Sequence, residues 1–304
     1  MGKGEDRKVT DKNTLKGAVF LLVAAFIWGF AMVALKAGTE NLQPFSFTGY
    51  RCLLGGISLI PLWLFVDKRK NPAQREVERN PKTLVIGSIV CGLNLMTFTI
   101  AQQLGLPFTT IGKAGFITAL YIILVPLAGV FLGRKIEKTV WIAVVVAMTG
   151  FYFMCLYGGS AAFNRGDMMM LFAAVFYTVY FYMVDHFVQQ LDPVKFSSCQ
   201  FIVTGIVCSV ISLLFEDTSL ADVQAAIVPL LYGGICSCGL GYTFQVIGQR
   251  YMEPAKASLL LSSETVFTMI AGMIFFQEKL AFREYLGCGL IFCAIILSQM
   301  QRKS

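Results

Sequence analysis

The sequence predicts an all-α membrane protein, with ten transmembrane helices forming two inverted five-helix repeats around a central cavity. Three observations predict it. Of 304 residues, 56% are hydrophobic and only 14% charged, against roughly 25% charged in a soluble domain. Apolar runs of about 20 residues, the length that crosses a hydrocarbon core of ~30 Å, recur along the whole chain. The sequence also overlays itself with Pro, Lys, Gln and Gly in register, and such self-similarity marks an internal repeat.

In chain order the apolar runs place spans at 17–36, 44–66, 83–104, 112–132, 139–157, 167–187, 194–215, 227–248, 255–276 and 283–301. Residues 1–16 precede them as a polar tail. The first run exceeds the 7–15 residues of a signal-peptide core and is followed by nine more, so it is expected to stay in the mature chain. Orientation follows from the connectors. With the N-terminus inside, Lys68, Arg69, Lys70, Arg75, Arg79 and Lys82 share the cytoplasmic side with Arg134, Lys135 and Lys138, while Glu216, Asp217 and Asp222 lie outside. That is the asymmetry of the positive-inside rule, and it puts both termini of a multi-pass cell-membrane protein in the cytoplasm.

The overlay has a spacing of 149 residues over the first two spans of each half. Gly17 meets Gly166, Ala24-Ala25 meets Ala173-Ala174, Pro44 meets Pro193, Phe47 meets Phe196 and Gly56 meets Gly205. After the basic loop the spacing is 143, and Gln102 meets Gln245, Gly105 meets Gly248 and Lys113-Ala114 meets Lys256-Ala257. Shared hydrophobic bias explains Leu over Leu but not these pairs. Repeats over 17–158 and 166–301 with an odd number of spans each must enter the membrane from opposite sides, the inverted architecture of many secondary carriers.

The net charge of +7 is spent on one side of the membrane, so nucleic acid is not implied. Nine cysteines fall within or beside apolar runs without paired extracellular spacing and read as small hydrophobes. Cys236 and Cys238 lack a second ligand pair, and the chain has one histidine, so neither a metal nor a cofactor is expected. No phosphate-binding Gly-x4-Gly-Lys-Ser/Thr, His-Glu-x-x-His or Gly-x-Ser-x-Gly occurs, which argues against ATP drive and against an enzyme.

Trp28-Gly29, Pro44-Phe45 leading to Tyr50-Arg51, and Lys113-Ala114-Gly115-Phe116-Ile117-Thr118 mark the first half. Pro254-Ala255-Lys256-Ala257-Ser258, Glu264-Thr265-Val266-Phe267 and Gln277-Glu278-Lys279-Leu280 mark the second. On these motifs the chain resembles the drug/metabolite transporter superfamily, in particular its EamA-like members, over residues 15 to 301. The resemblance implies a ten-helix carrier with a cavity between the repeats, commonly exporting amino acids, related metabolites or amphipathic drugs.

Intramembrane ionisable groups are costly and usually face the bundle interior, so the cavity is sought around them. Glu264 lies halfway along the ninth span, where a carboxylate costs roughly 2.5–3.5 kcal/mol on insertion scales. Its repeat mate is Tyr121, and Thr118 shares the stripe of Tyr121 at helical spacing. Two readings of Glu264 stay open: a clasp hydrogen-bonded to a neighbouring helix, or a substrate- and proton-exchanging carboxylate. Trp28 and its mate Tyr177 lie mid-span and need partners for their polar atoms. Asn94, Tyr242 and Gln245 complete the polar set. Lys113 and Lys256 open the fourth and ninth spans as rim or gate lysines, with snorkelling the simpler role. Arg51, whose mate is Gln200, is expected to make a structural or gating contact. Pro126, whose mate is Met269, should kink the fourth span and make the repeats mechanically unequal.

The expected function is therefore secondary active transport of small metabolites such as amino acids, in the direction of export, by alternating access with proton coupling at Glu264. The alternative is a broad-specificity exporter of cationic or amphipathic drugs; a membrane-embedded enzyme or receptor is a distant third. Partners are the substrate, protons and the bilayer. Five helices per repeat can close a cavity within one chain, so a functional monomer is expected, with dimerisation through small-residue faces left open.

Overall fold

The computed structural model describes residues 11–69, 80–109, 111–153, 164–276 and 282–299. Among these residues the chain is helical apart from short connectors, with no strand. The helices are α1 (Asp11–Asn41), α2 (Pro44–Ser58), α3 (Ile60–Arg69), α4 (Pro81–Gly105), α5 (Ile111–Thr118), α6 (Tyr121–Phe131), α7 (Lys138–Phe151), α8 (Arg165–Phe187), α9 (Pro193–Phe215), α10 (Leu220–Ala225), α11 (Ile227–Leu231), α12 (Thr243–Tyr251), α13 (Pro254–Leu261), α14 (Glu264–Phe276) and α15 (Phe282–Gln299). A 3₁₀ turn follows α4 at Leu106–Phe108, and a π-helical stretch, Tyr232–Tyr242, joins α11 to α12.

Local chemistry sets the starts. Pro44, Pro81, Pro193 and Pro254 each open a helix, where a fixed φ suits the first turn and the missing N–H is not needed. Asn80 and Asp192 cap two of them by accepting from backbone amides of the first turn. Asn164 and Asp167 form a reciprocal capping box at α8. Gly133, at φ +75°, closes α6 in a conformation that only glycine adopts freely.

Helices occupy each of the stretches expected from hydropathy, but their lengths differ. Among the described residues seven are long and apolar enough to cross a membrane; the fourth, fifth and tenth stretches carry shorter apolar helices, Ile117–Phe131, Lys138–Phe151 and Tyr285–Ser298. Large hydrophobic side chains such as Val85, Ile86, Leu213 and Phe215 point outward, as a lipid-facing surface requires. The result is a multi-pass membrane protein.

Small residues bring the helices together, and they do so in matched pairs. A Cβ placed on Gly56 of α2 would lie 3.0 Å from the amide nitrogen of Ile202 in α9; one on Gly205 of α9 would lie 2.8 Å from that of Leu53 in α2. Gly56 and Gly205, like Leu53 and Ile202, are 149 residues apart. Likewise a Cβ on Gly17 would lie 3.1 Å from the carbonyl oxygen of Gly248, and one on Gly166 2.7 Å from that of Gly105.

The match also locates a one-residue slip. Gly92 approaches the carbonyl of Gln200 as Gly234 approaches that of Arg51, a spacing of 142 between Gly92 and Gly234, whereas Gly105 and Gly248 are 143 apart. The additional residue falls within the π-helical stretch, whose i→i+5 turns accommodate one more residue than α-turns do.

Candidate functional site

The fourth and ninth stretches are both interrupted. The first breaks between Thr118 and Tyr121, the second between Leu261 and Glu264. At the 143-residue spacing these are the same two positions. Both breaks replace α-helical bonds with tighter ones, Leu120 N–H to Ile117 and Ser263 N–H to Leu260, each 3.2 Å. In the second, Ser258, Ser262 and Ser263 donate their hydroxyls to the carbonyls three residues back, which competes with the helix ladder and bends it. Pro126 lies inside α6, beyond the break. Because the Met269 side breaks at the matching place without a proline, the inequality expected from Pro126 is not seen in where the helices are interrupted.

Each second segment starts with a candidate side chain, Tyr121 and Glu264, and both open onto one cavity. Trp28, Arg51, Phe98, Tyr177 and Tyr242 form much of the remaining wall, with Thr118 and Gln102 towards one end. The aromatic rings interlock: Tyr121 meets Tyr177 edge-on at 5.0 Å, Phe98 lies 5.0 Å from Tyr177, and Trp28 packs on Tyr242 at 4.5 Å. The indole N–H of Trp28 donates to the carbonyl of Ser237 at 3.3 Å, an acceptor inside the π-helical stretch. The Glu264 carboxylate makes no hydrogen bond or ion pair with another described residue, so the partner that a structural clasp needs is missing from this arrangement.

The cavity is about 60 Å³, far below the roughly 300–1,000 Å³ of small-molecule pockets. It holds water-sized guests as it stands, and a metabolite enters only if the walls move. It extends from Trp28 to Leu35 along α1, about 10 Å of helical rise, towards the end of the bundle where α1 and α4 finish. At that end lies a wider recess of about 310 Å³ lined by Glu40, Gln103, Asp217 and Asp222. There the Ser219 hydroxyl and amide hold the Asp222 carboxyl below the usual carboxylate range.

Polar contacts cross the opposite end. Arg134 pairs with Asp185 at 2.7 Å, Lys256 with Glu137 at 3.0 Å, and Tyr182 donates to the Val125 carbonyl at 2.7 Å. Asp185 is thus a buried partner, and Lys256 is tied down where a snorkelling lysine would be free.

Of the predicted site residues, the structure brings Trp28, Thr118, Tyr121, Tyr177, Tyr242, Glu264 and Arg51 to one cavity. Asn94 and Gln245 are not on its wall: both are buried among helices, with Asn94 Oδ1 and both Gln245 amide atoms unpartnered. The side chain of Lys113 lies outside the described residues. Sequence reading missed Met32, Leu35, Phe98 and Ser237. The first three look like ordinary core residues, and Ser237 contributes a backbone carbonyl, which has no sequence signal.

The profile of the EamA-like transporter family matches residues 15–156 and 164–300. The chain belongs to that family. It is accordingly a transporter-family protein of the drug/metabolite transporter superfamily, not an enzyme. Among its relatives is an uncharacterized transporter of Archaeoglobus fulgidus, 27% identical over 92% of this chain and 85% of the relative. The uncharacterized transporter YoaV of Bacillus subtilis is 25% identical over 91% of this chain and 94% of the relative. A solved crystal structure, 17% identical, superposes with a TM-score of 0.77 over 93% of this chain and 96% of its own; at that identity it shares the fold alone. For an EamA-like transporter, a small cavity between two interrupted helices, walled by aromatic and polar side chains, is the natural place to look for cargo.

Proposed function

We propose that this EamA-like protein is a secondary active transporter that moves small metabolites, amino acids or related compounds, across the cell membrane by alternating access, in the direction of export and in exchange for protons at Glu264. In this reading the chain has ten transmembrane helices in two inverted repeats, 17–158 and 166–301, after a cytoplasmic tail of residues 1–16, with both termini inside, and it works as a monomer. The matched glycine contacts and the two separate family matches support the repeats. With that orientation the cavity faces outward and the Arg134–Asp185 and Lys256–Glu137 pairs bolt the cytoplasmic side.

One observation carries the reading: two helices interrupted at equivalent positions present Tyr121 and an unpartnered Glu264 to one cavity. Discontinuous helices meeting at the midplane expose backbone and polar side chains to a ligand while the rest of each helix stays intact. A carboxylate without a protein partner there is available to a proton or a cationic group.

Counterflow in proteoliposomes loaded with pooled amino acids, nucleobases, amines and organic cations tests it. The native protein should exchange one chemical class, and Glu264→Gln should lose that exchange or its pH dependence. Equal exchange at every pH in both proteins would remove Glu264 from the mechanism. A second reading, export of cationic or amphipathic drugs, draws on the aromatic wall of Trp28, Tyr121, Tyr177 and Tyr242 beside the carboxylate, a setting that attracts cations. Competition between an organic cation and protons, with no exchange of amino acids, would favour it.

A further inference from the structure

Arg51 is a buried cation with no anion beside it. The residue is 3% exposed, Nε has no partner, and the guanidinium makes no ion pair with another described residue. What touches it is apolar or neutral: its Cζ lies 5.5 Å from the Phe47 ring centre, and its stem runs past Gly233, where a Cβ would come within 3.5 Å of Cδ. Glu216, the acidic group that meets the start of α2, is committed elsewhere, accepting from the amides of Phe45 and Ser46 and from the Ser46 hydroxyl. A cation–π contact offsets only part of the desolvation of a guanidinium.

The same cavity has Arg51 and Glu264 on its wall, and the two do not pair with each other. One cavity therefore presents an unanswered positive group and an unanswered negative group, separated by aromatic surface. A neutral or purely cationic guest would leave Arg51 without a counter-charge. A zwitterion answers both ends: its carboxylate accepts from the guanidinium nitrogens, which are built for two-pronged carboxylate contacts, and its ammonium donates to Glu264.

We propose that Arg51 is the carboxylate-binding residue of the cavity and that its cargo is zwitterionic. This rests on the carrier reading above and narrows it. Arg51 thereby passes from a structural contact to a specificity-determining one. Its repeat mate Gln200, by contrast, accepts from the Tyr180 hydroxyl at 3.1 Å and has no such role in this state.

The test uses the full chain in proteoliposomes and two matched probe sets: phenylalanine, phenylalaninamide and 3-phenylpropanoate, then leucine, leucinamide and 4-methylpentanoate. For the wild type, the zwitterion should compete for exchange at least about tenfold better than the amide, the scale of loss when a buried charged contact goes unmade. Arg51→Gln should abolish that preference, so that amide and zwitterion compete equally. Arg51→Lys, which retains the charge and guards against misfolding of the glutamine variant, should reduce the preference several-fold by losing the fork. Persistence of the full preference in either Arg51 variant, or no preference in the wild type, overturns the assignment while leaving the carrier reading intact. No exchange of any probe by well-folded wild type, amides included, overturns both.

Discussion

Much of the cavity wall comes from the first half of the chain, and the positions 149 residues on in the second half are filled. Along α1 the wall is made by Ala31, Met32 and Leu35; their mates at 149 residues, Tyr180, Phe181 and Val184, are all fully buried in α8. Gln102 and Thr118 line the cavity, whereas their mates Gln245 and Leu261 are fully buried. The decisive position is the first. Where the first half has the small side chain of Ala31 on a wall shared with an unpartnered Arg51, the second has the fully buried ring of Tyr180, whose hydroxyl donates to Gln200 Oε1. The asymmetry is thus partly written into the sequence. One half is built to hold open space with a charge on its wall, the other to close over a neutral, hydrogen-bonded plug.

Making the open half resemble the closed one should have the largest effect. Ala31→Tyr places a ring where only about 60 Å³ is free, so exchange should fall to background while the purified protein still elutes as a folded species on size exclusion. Undiminished exchange would mean that the cargo does not pass this point. The reverse change, Tyr180→Ala, removes a fully buried aromatic and leaves Gln200 without its donor. A loss of about 3–5 kcal/mol is expected from the cavity created, read as a lowered unfolding midpoint. A midpoint unchanged from wild type would show that this half can collapse onto the vacancy and that the plug is dispensable.

Much of this comparison could be read from sequence, because self-similarity at constant spacing pairs the positions and hydropathy locates helices of any kind. Trp28, Tyr121, Tyr177, Tyr242 and Glu264 are legible as residues of the cavity wall, since polar or amphipathic groups deep in an apolar run demand an interior. Asn94 and Gln245 show the limit: the same argument selects them, yet interior includes helix–helix contacts as well as cavity, and rotation about the helix axis decides between the two. The helix breaks were harder. Ser262-Ser263 offers competing hydroxyls, but Ala119-Leu120 has no breaker of its own, so the first interruption is visible only through its symmetry mate. Charge partners were not legible at all: Lys256 and Glu137 meet across 119 residues, and nothing local links them.

That last pair gives the smallest expected effect and separates the sealed end from the open one. Lys256 Nζ lies 3.0 Å from Glu137 Oε1, and the glutamate side chain is 47% exposed, so solvent screens the attraction and the pair contributes no more than about 0.2–1 kcal/mol. Lys256→Met and Glu137→Gln should each lower the unfolding midpoint slightly, and the double variant should lose less than the sum of the two, the shortfall being the pair's coupling energy. High salt should shrink that coupling further. On the carrier reading the pair exists only while this end is shut, so either substitution also removes stability from the closed arrangement alone. The open end has no compensating ion pair from Lys256 to lose, and the equilibrium should therefore shift towards opening of the sealed side. Cysteine accessibility at Val184→Cys reports that shift: labelling by a small thiol reagent should be faster with Lys256→Met than without it. Equal labelling rates would mean that the aromatic plug around Tyr180, not the ion pair, keeps this end closed.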